Sequence, residues 1–353
     1  MIHHHKTRRG MSLTEVLVAL FVMALGMISI LTLFPLGASK MAIALRNNRT
    51  SQTATQADGM MRLWWQREVV ERPGNEDPMF YVMDNPNETR NGLNATPYAV
   101  PPGAGLTPIP TDSTQPSYPV MIDPIGFQAR TGSDRFWVAS NNFPRRTARA
   151  LYGGSPTSPN LILAFGTCSL LDDITFGENG LPDTTSATAA PNTITREGRY
   201  NWSAVVQRQN NNLRTTANLT ILVFDRRPIG TAPANSETVI VAPTFNVGSQ
   251  QLSIAVAVGA EPPIRAGSWI MDGTRAGGIH NANFYRIKSI AEDSPTPGVW
   301  TLDLETPIKR PTGSPTMLSY QGQLYVLQNA LYRLADVFER PQLQPSGYQF
   351  QTP

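Results

Sequence analysis

Residues 8–34 read RRGMSLTEVLVALFVMALGMISILTLF, and this stretch decides how the rest of the chain is read. From Met11 to Leu36 the only hydroxyl or charged side chains are Ser12, Thr14, Glu15, Ser29 and Thr32. As a helix, residues 11–34 would rise ~36 Å at ~1.5 Å each, enough to cross a hydrocarbon core of ~30 Å. The apolar region of an ordinary secretory signal is shorter, roughly 7–15 residues, and ends in small residues. Leu36-Gly37-Ala38 is a poor match to such an end. Lys6, Arg8 and Arg9 lie on one flank and Lys40, Arg46 and Arg49 on the other, so charge alone leaves the orientation open.

Glu15 has two physical explanations. The first is local: Ser12-Leu13-Thr14-Glu15 has the S-x-x-E form of a capping box. In that reading Ser12 accepts from the amide of Glu15, and Glu15 reaches back to the amide of Ser12. A carboxylate in the first turn also suits the helix dipole. The second explanation is intermolecular, because an acid in apolar surroundings is costly and normally finds a partner. A cut after Gly10 would give Met11 a free α-amine, protonated near neutral pH because its reference pKa is roughly 7.7–8.0. The Glu15 of a neighbouring subunit would then neutralise that amine within a helical bundle. Spacing alone leaves both explanations open.

Gly10 followed by MSLTEVLVAL (residues 11–20) resembles the processing and methylation signal of type IV prepilins. It is most similar to the variant found in minor pilins and type II secretion pseudopilins. The resemblance covers about 30 of the 353 residues but is specific. It implies that a prepilin peptidase cuts after Gly10 and methylates Met11, and that Glu15 is the assembly acid. It also implies that Lys6, Arg8 and Arg9 form a cytoplasmic leader, which fixes the orientation. The expected location is then the bacterial inner membrane, single-pass with an extracytoplasmic (periplasmic) head, and afterwards a filament. The implied partners are the peptidase, other pilin or pseudopilin subunits, an inner-membrane assembly platform and the lipid bilayer. Thr14 departs from the pattern, which usually has an aliphatic residue there, and Pro35 lies slightly later than the proline that usually kinks this helix.

Beyond Pro35, which removes a backbone donor and should bend or loosen the helix, the helical pattern continues to about Glu71 and stops at Pro73-Gly74. Ala57, Met60, Met61, Trp64 and Trp65 recur at helical spacing, and residues 47–58 between are polar. The two tryptophans lie ~45 Å beyond Pro35 along a straight helix, which favours packing on a head over membrane anchoring.

Residues 73–159 are rich in Pro, Asn, Gly and Thr and keep no period. They read as surface loops with short strands near Tyr98 and Val120. Strand-like segments follow at 161–165, 200–207, 217–224, 238–242, 252–258, 268–271, 283–290 and 300–304. Their spacing implies an antiparallel sheet or small barrel, and the segments beginning IRAGSWIMDG, NFYRIKSI and VWTLDLETPI read as a meander that forms a small module. Residues 323–338 are ambiguous between strand and short helix and are read as a final strand before a polar tail.

The expected class is α+β, a long helix packed on an antiparallel β-rich head with long loops. The expected division is a leader (1–10), a transmembrane and filament-core helix (11–36), an amphipathic stem helix (37–72), a loop-rich region (73–159), a β-rich head (160–340) and a polar tail (341–353).

The bulk chemistry argues against several classes. Net charge is +3, with no basic cluster interleaved with aromatics, so nucleic acid is not an expected partner. Cys168 is the sole cysteine, which excludes an internal disulfide or a C-x-x-C site and reads as an inert core thiol. The run His3-His4-His5 is set aside, and His280 is a lone histidine in a glycine-rich turn. The sequence has no H-E-x-x-H, no G-x-S-x-G and no phosphate-cradling glycine loop. The best metal candidate is LLDDITFGENGLPDTT, where Asp172, Asp173, Glu178, Asn179 and Asp183 offer the hard oxygens that calcium prefers. Its spacing departs from D-x-[DN]-x-[DN]-G, and ENG also reads as a turn. No cofactor is therefore expected, with calcium in this loop the one candidate.

The reading is a structural, non-enzymatic filament subunit whose large head suits a tip, priming or adhesive role. The alternative is a membrane-tethered binding protein whose β-head recognises a polysaccharide or protein. An exported hydrolase would need a catalytic set that the sequence does not show.

Overall fold

The computed structural model describes residues 12–71, 83, 115–122, 145–146, 154–155, 158–159, 169–170, 173–182, 184–185, 193–194, 197–210, 215–227, 237–276, 279–293, 296–311, 316–327 and 330–338. The chain divides into two compact units between Arg49 and Thr50. One helix, α1 (Leu13–Trp65), runs through both and ends in a π-helical turn, Gln66–Val70. That turn is closed by the Glu71 N–H donating to the Gln66 carbonyl at 2.9 Å and by Gln66 Nε2 donating to Glu71 Oε1 at 3.0 Å. Pro35 sits inside the helix without ending it. Its missing N–H leaves the carbonyl of Leu31 without its usual helical donor.

In the first unit the apolar side chains of α1 point to solvent: Leu13 is 80% exposed, Phe21 65% and Phe34 77%. In the second unit the helix is buried along one face. Thr50, Thr53, Ala54, Ala57, Met61, Trp64, Trp65 and Val69 are all buried, at steps of one, three or four residues. That spacing is the stripe a helix presents to a core. The stretch read from sequence as polar therefore already supplies Thr50 and Thr53 to the packed face. The two tryptophans sit in the head as expected. They meet edge to face at 5.9 Å, and Trp65 Nε1 donates to the Thr215 carbonyl at 2.9 Å.

The strands are β1 (Val120–Ile122), β2 (Arg145–Arg146), β3 (Gly154–Ser155), β4 (Ser158–Pro159), β5 (Thr184–Thr185), β6 (Thr193–Ile194), β7 (Tyr200–Gln207), β8 (Ala217–Asp225) and β9 (Glu237–Asn246). They continue with β10 (Gln251–Ala255), β11 (Trp269–Asp272), β12 (Arg275–Ala276), β13 (Ile279–His280), β14 (Asn283–Glu292), β15 (Val299–Leu304), β16 (Ser319–Leu327) and β17 (Ala330–Phe338). Among the described residues, one five-stranded sheet has the order β17-β8-β7-β1-β2, antiparallel except for β1 with β2. Six strands close a barrel in the order β10-β15-β14-β11-β16-β9, with every neighbouring pair antiparallel.

The class expected from sequence, α+β with a long N-terminal helix and antiparallel β structure, is the class observed. The anticipated meander is β11, β14 and β15, consecutive neighbours in the barrel wall. The segment 323–338 needs correction. It is the end of one strand and the whole of another, β16 in the barrel and β17 in the sheet. The segments anticipated near Tyr98 and at 161–165 lie outside the described residues.

The connectivity is nested. β8 and β17 are paired neighbours, with Phe224 opposite Ala330, yet every barrel strand lies between them in sequence. The sheet is consequently covered on both faces. Strand alternation sends Trp202, Ala204, Val206, Ile221 and Val223 toward the helix. It sends Met121, Val205, Leu222 and Phe224 toward Met271, Phe284 and Tyr325 of the barrel. β7, central in the sheet, is buried from Tyr200 through Val206. Each large apolar side chain removed from water contributes about 1.5–3 kcal/mol before entropy is counted. A third core fills the barrel around Phe245, Ile270, Tyr285, Leu302 and Leu324.

Candidate functional site

The start of α1 is built from four residues. Ser12 is the N-cap, and the Glu15 carboxylate accepts from its N–H, Oε2 to N, at 3.1 Å. The reciprocal bond differs from the expected capping box. Ser12 Oγ accepts from the Thr14 N–H at 3.2 Å, while the Glu15 N–H donates to the Ser12 carbonyl at 3.0 Å. The Thr14 hydroxyl is also bonded to Ser12 Oγ. An N-cap hydroxyl reaches either the second or the third helical amide. The polar Thr14, where an aliphatic residue was expected, draws Ser12 to the second. Glu15 itself is exposed.

From Leu13 to Leu45 most side chains of the helix are apolar and exposed, interrupted by a few polar residues such as Glu15, Ser29 and Lys40. By length and composition this helix can cross a membrane. The processing residues Gly10 and Met11 and the leader cations Lys6, Arg8 and Arg9 lie outside the described residues.

In the calcium candidate, Asp173 Oδ2 accepts from the Gly198 N–H at 2.9 Å. Asn179 Oδ1 accepts from the Leu181 N–H at 3.1 Å, closing the turn through Gly180 at φ +72°. Glu178 is exposed at the tip of that turn. Asp172 and Asp183 lie outside the described residues, as does Cys168. Among the described residues no three His, Cys, Asp or Glu side chains gather where they could hold a metal ion. His280 takes part in the short β12–β13 hairpin, opposite Arg275.

Sequence reasoning passed over one buried acid. Asp272, at the end of β11, is fully buried in the barrel. Its Oδ1 accepts from the Thr274 N–H at 3.0 Å and from the Thr274 hydroxyl, and its Oδ2 accepts from Tyr320 OH at 2.9 Å. Asn283 supplies a further hydrogen bond. Burial pushes the Asp272 carboxyl up from its ordinary range, against the pull of these donors. Burial likewise raises the phenols of Tyr285 and Tyr320, with the charge of Asp272 adding to both. Thr274 Oγ1 also accepts from the Gln323 N–H at 3.0 Å, at the bulge where β16 shifts register against β9. The Thr274 and Tyr320 hydroxyls are both bonded to the carboxylate, and the cluster joins β11, β14 and β16 as a polar clasp. The signal in the sequence was the pair Asp272-Gly273 directly after the apolar WIM, a strand end carrying an acid inward.

The start of the chain matches a known family model. Residues 5–31 match the one described as the prokaryotic N-terminal methylation motif, the prepilin-type signal of type IV pilins and pseudopilins. A comparison with curated proteins finds no match. The signal implies processing by a peptidase and assembly with other pilin subunits, and its apolar helix points to membrane anchoring.

Proposed function

We propose, for a chain that bears the prepilin-type signal, the role of a minor-pilin-like or pseudopilin-like subunit. It is cut after Gly10, methylated at Met11 and held in the bacterial inner membrane by α1, with its head on the periplasmic side. Extraction from the bilayer onto an inner-membrane assembly platform then delivers it to a type IV pilus or a type II secretion pseudopilus. The role is structural, as is general for proteins with this motif.

One observation carries the proposal: the motif at residues 5–31 is followed by apolar side chains exposed from Leu13 to Leu45. Such a surface is stable in lipid or against equivalent helices, not in water. The Glu15 carboxylate satisfies the Ser12 N–H within its own chain and retains acceptor capacity for an incoming amine. In the proposed filament that amine belongs to Met11 of a neighbour, and the pairing sets register between subunits.

The test is Glu15→Ala in cells, read by the mass of the N-terminus and by recovery of sheared filaments. Cleavage after Gly10 is expected to persist while incorporation falls about tenfold or more, the loss of one buried charge pair. An intact N-terminus in the working native protein would overturn the processing step. Normal assembly of Glu15→Ala would favour the second reading, a membrane-tethered binding protein. The specific observation behind that reading is the closed barrel, which fills the face of the sheet away from the helix residues 54–69.

A further inference from the structure

Past β15 the chain runs from Glu305 to Pro311 against the barrel, and two phenols hold it there. The side chain of Ile308 is buried in the third core, while Glu305, Lys309 and Arg310 are exposed. Ile308 is fixed through its backbone: its N–H donates to the Ser249 carbonyl at 2.8 Å, and its carbonyl accepts from the Gly248 N–H at 2.9 Å. Lys309 depends instead on side chains. Its N–H donates to Tyr285 OH at 3.0 Å, and its carbonyl accepts from Tyr320 OH at 3.2 Å.

The Tyr320 hydroxyl therefore has two acceptors, the Lys309 carbonyl and, at 2.9 Å, Asp272 Oδ2. A phenol carries one proton and serves one of them fully at a time. The charge on Asp272 decides which. An ionised carboxylate only accepts, and it is a stronger acceptor than a neutral carbonyl, so it takes the Tyr320 proton. A protonated Asp272 is itself a donor. The Thr274 N–H cannot accept that proton, and the Thr274 oxygen already accepts from the Gln323 N–H. The Tyr320 oxygen is left to accept it, and the phenol's own proton then goes to Lys309.

We propose that Asp272 and Tyr320 form a proton-linked latch on residues 305–311, closed on the Lys309 carbonyl when the acid is protonated and withdrawn to the carboxylate when it is ionised. The latch sets how firmly the exposed pair Lys309-Arg310 is held. Burial moves the exchange above the ordinary aspartate range, and the phenols of Tyr285 and Tyr320, also raised by burial, stay neutral throughout. Among the described residues, the charged groups of the elements packed around Asp272 are exposed: Arg286, Lys288 and Glu292 on β14, and Glu305, Lys309 and Arg310 on the latched segment. β16 carries none, and the β12–β13 hairpin that follows Asp272 carries Arg275 and His280.

The experiment is amide hydrogen exchange of the full chain in detergent micelles, corrected for the intrinsic rate at each pH. Protection of the Lys309 amide is expected to fall about two- to tenfold from about pH 4 to about pH 8, the worth of one neutral hydrogen bond, while that of Leu302 and Leu304 stays level. Asp272→Asn, whose amide donates to Tyr320 in place of the acid proton, is expected to keep the high protection at every pH, and Tyr320→Phe the low one. His280→Gln is expected to retain the response of the unaltered chain. A flat profile in the unaltered chain, an equal fall at Leu302 and Leu304, a pH response that persists in Tyr320→Phe or one that is lost in His280→Gln would overturn the latch. Should Asp272→Asn fail to fold, Tyr320→Phe carries the test alone.

Discussion

Two carboxylates show how differently the same group is used. Glu15 is exposed and closes its own helix turn, while Asp272 is sealed in the barrel by Thr274, Tyr320 and Asn283. The first was legible because S-x-x-E is a local pattern. The second was not, because the donors around Asp272 come from residues up to 48 positions away. Burial holds Asp272 above its unfolded value, so the folded barrel binds that proton more tightly than the unfolded chain does. Its contribution to stability is therefore full below the ordinary aspartate value of ~3.9 and is lost as pH rises through the raised one. Asp272→Asn is expected to flatten that decline, measured as urea midpoints from about pH 4 to about pH 8; an unchanged slope would place the titration elsewhere. Gly322 offers a steric test of the same clasp. A Cβ there would lie 2.0 Å from Thr274 Oγ1 and 2.8 Å from a ring carbon of Phe245, whose ring stacks on Tyr320. Gly322→Ala should cost about 1–3 kcal/mol, seen as a lower melting temperature.

At the scale of elements, the helix was the most readable part, since a 3.6-residue period and a cap are written locally. Burial within its polar stretch was not legible at Thr50 and Thr53, because a threonine is small enough to enter a packed face and polarity alone does not report burial. The helix packs on the sheet through Trp64, which is 1% exposed, while its neighbour Leu63 is 66% exposed. Trp64→Ala should therefore destabilise the head by about 3–5 kcal/mol, and Leu63→Ala by much less, compared by denaturant unfolding in detergent. Equal losses would mean that the helix does not hold the sheet. The strands β7 and β8 were found almost to the residue, with Tyr200–Gln207 and Ala217–Asp225 flanking a polar connection. β16 and β17 ran together in the sequence because both are good strand formers separated by a short gap. Propensity tells which residues suit a pleated surface, not which partner they find.

The nesting of one β assembly inside another belongs to the whole molecule, and no local window contains it. β8 ends at Asp225 and its partner β17 begins at Ala330. Closing so long a connection costs little more than closing a short one, because loop entropy rises only ~0.6 kcal/mol per doubling of length. The connection is moreover occupied by a barrel whose ends are brought together by β9 pairing with β16 along its length, Glu237 opposite Leu327. The barrel has an interior core of its own, whereas the sheet's second face depends on the barrel for its cover. This asymmetry yields opposite expectations for the two halves. Residues 237–327 expressed alone, a length of about 90 residues that can sustain one core, should unfold in a single cooperative transition independent of concentration. The reciprocal chain, with those residues replaced by a short turn, would leave Met121, Leu222 and Phe224 facing water. It should bind a hydrophobic dye and aggregate, because such a patch on a sheet seeks other copies. A barrel fragment without a cooperative transition, or a soluble dye-silent deletion, would show that the dependence runs the other way. In that case the sheet is the template and the barrel a passenger folded upon it.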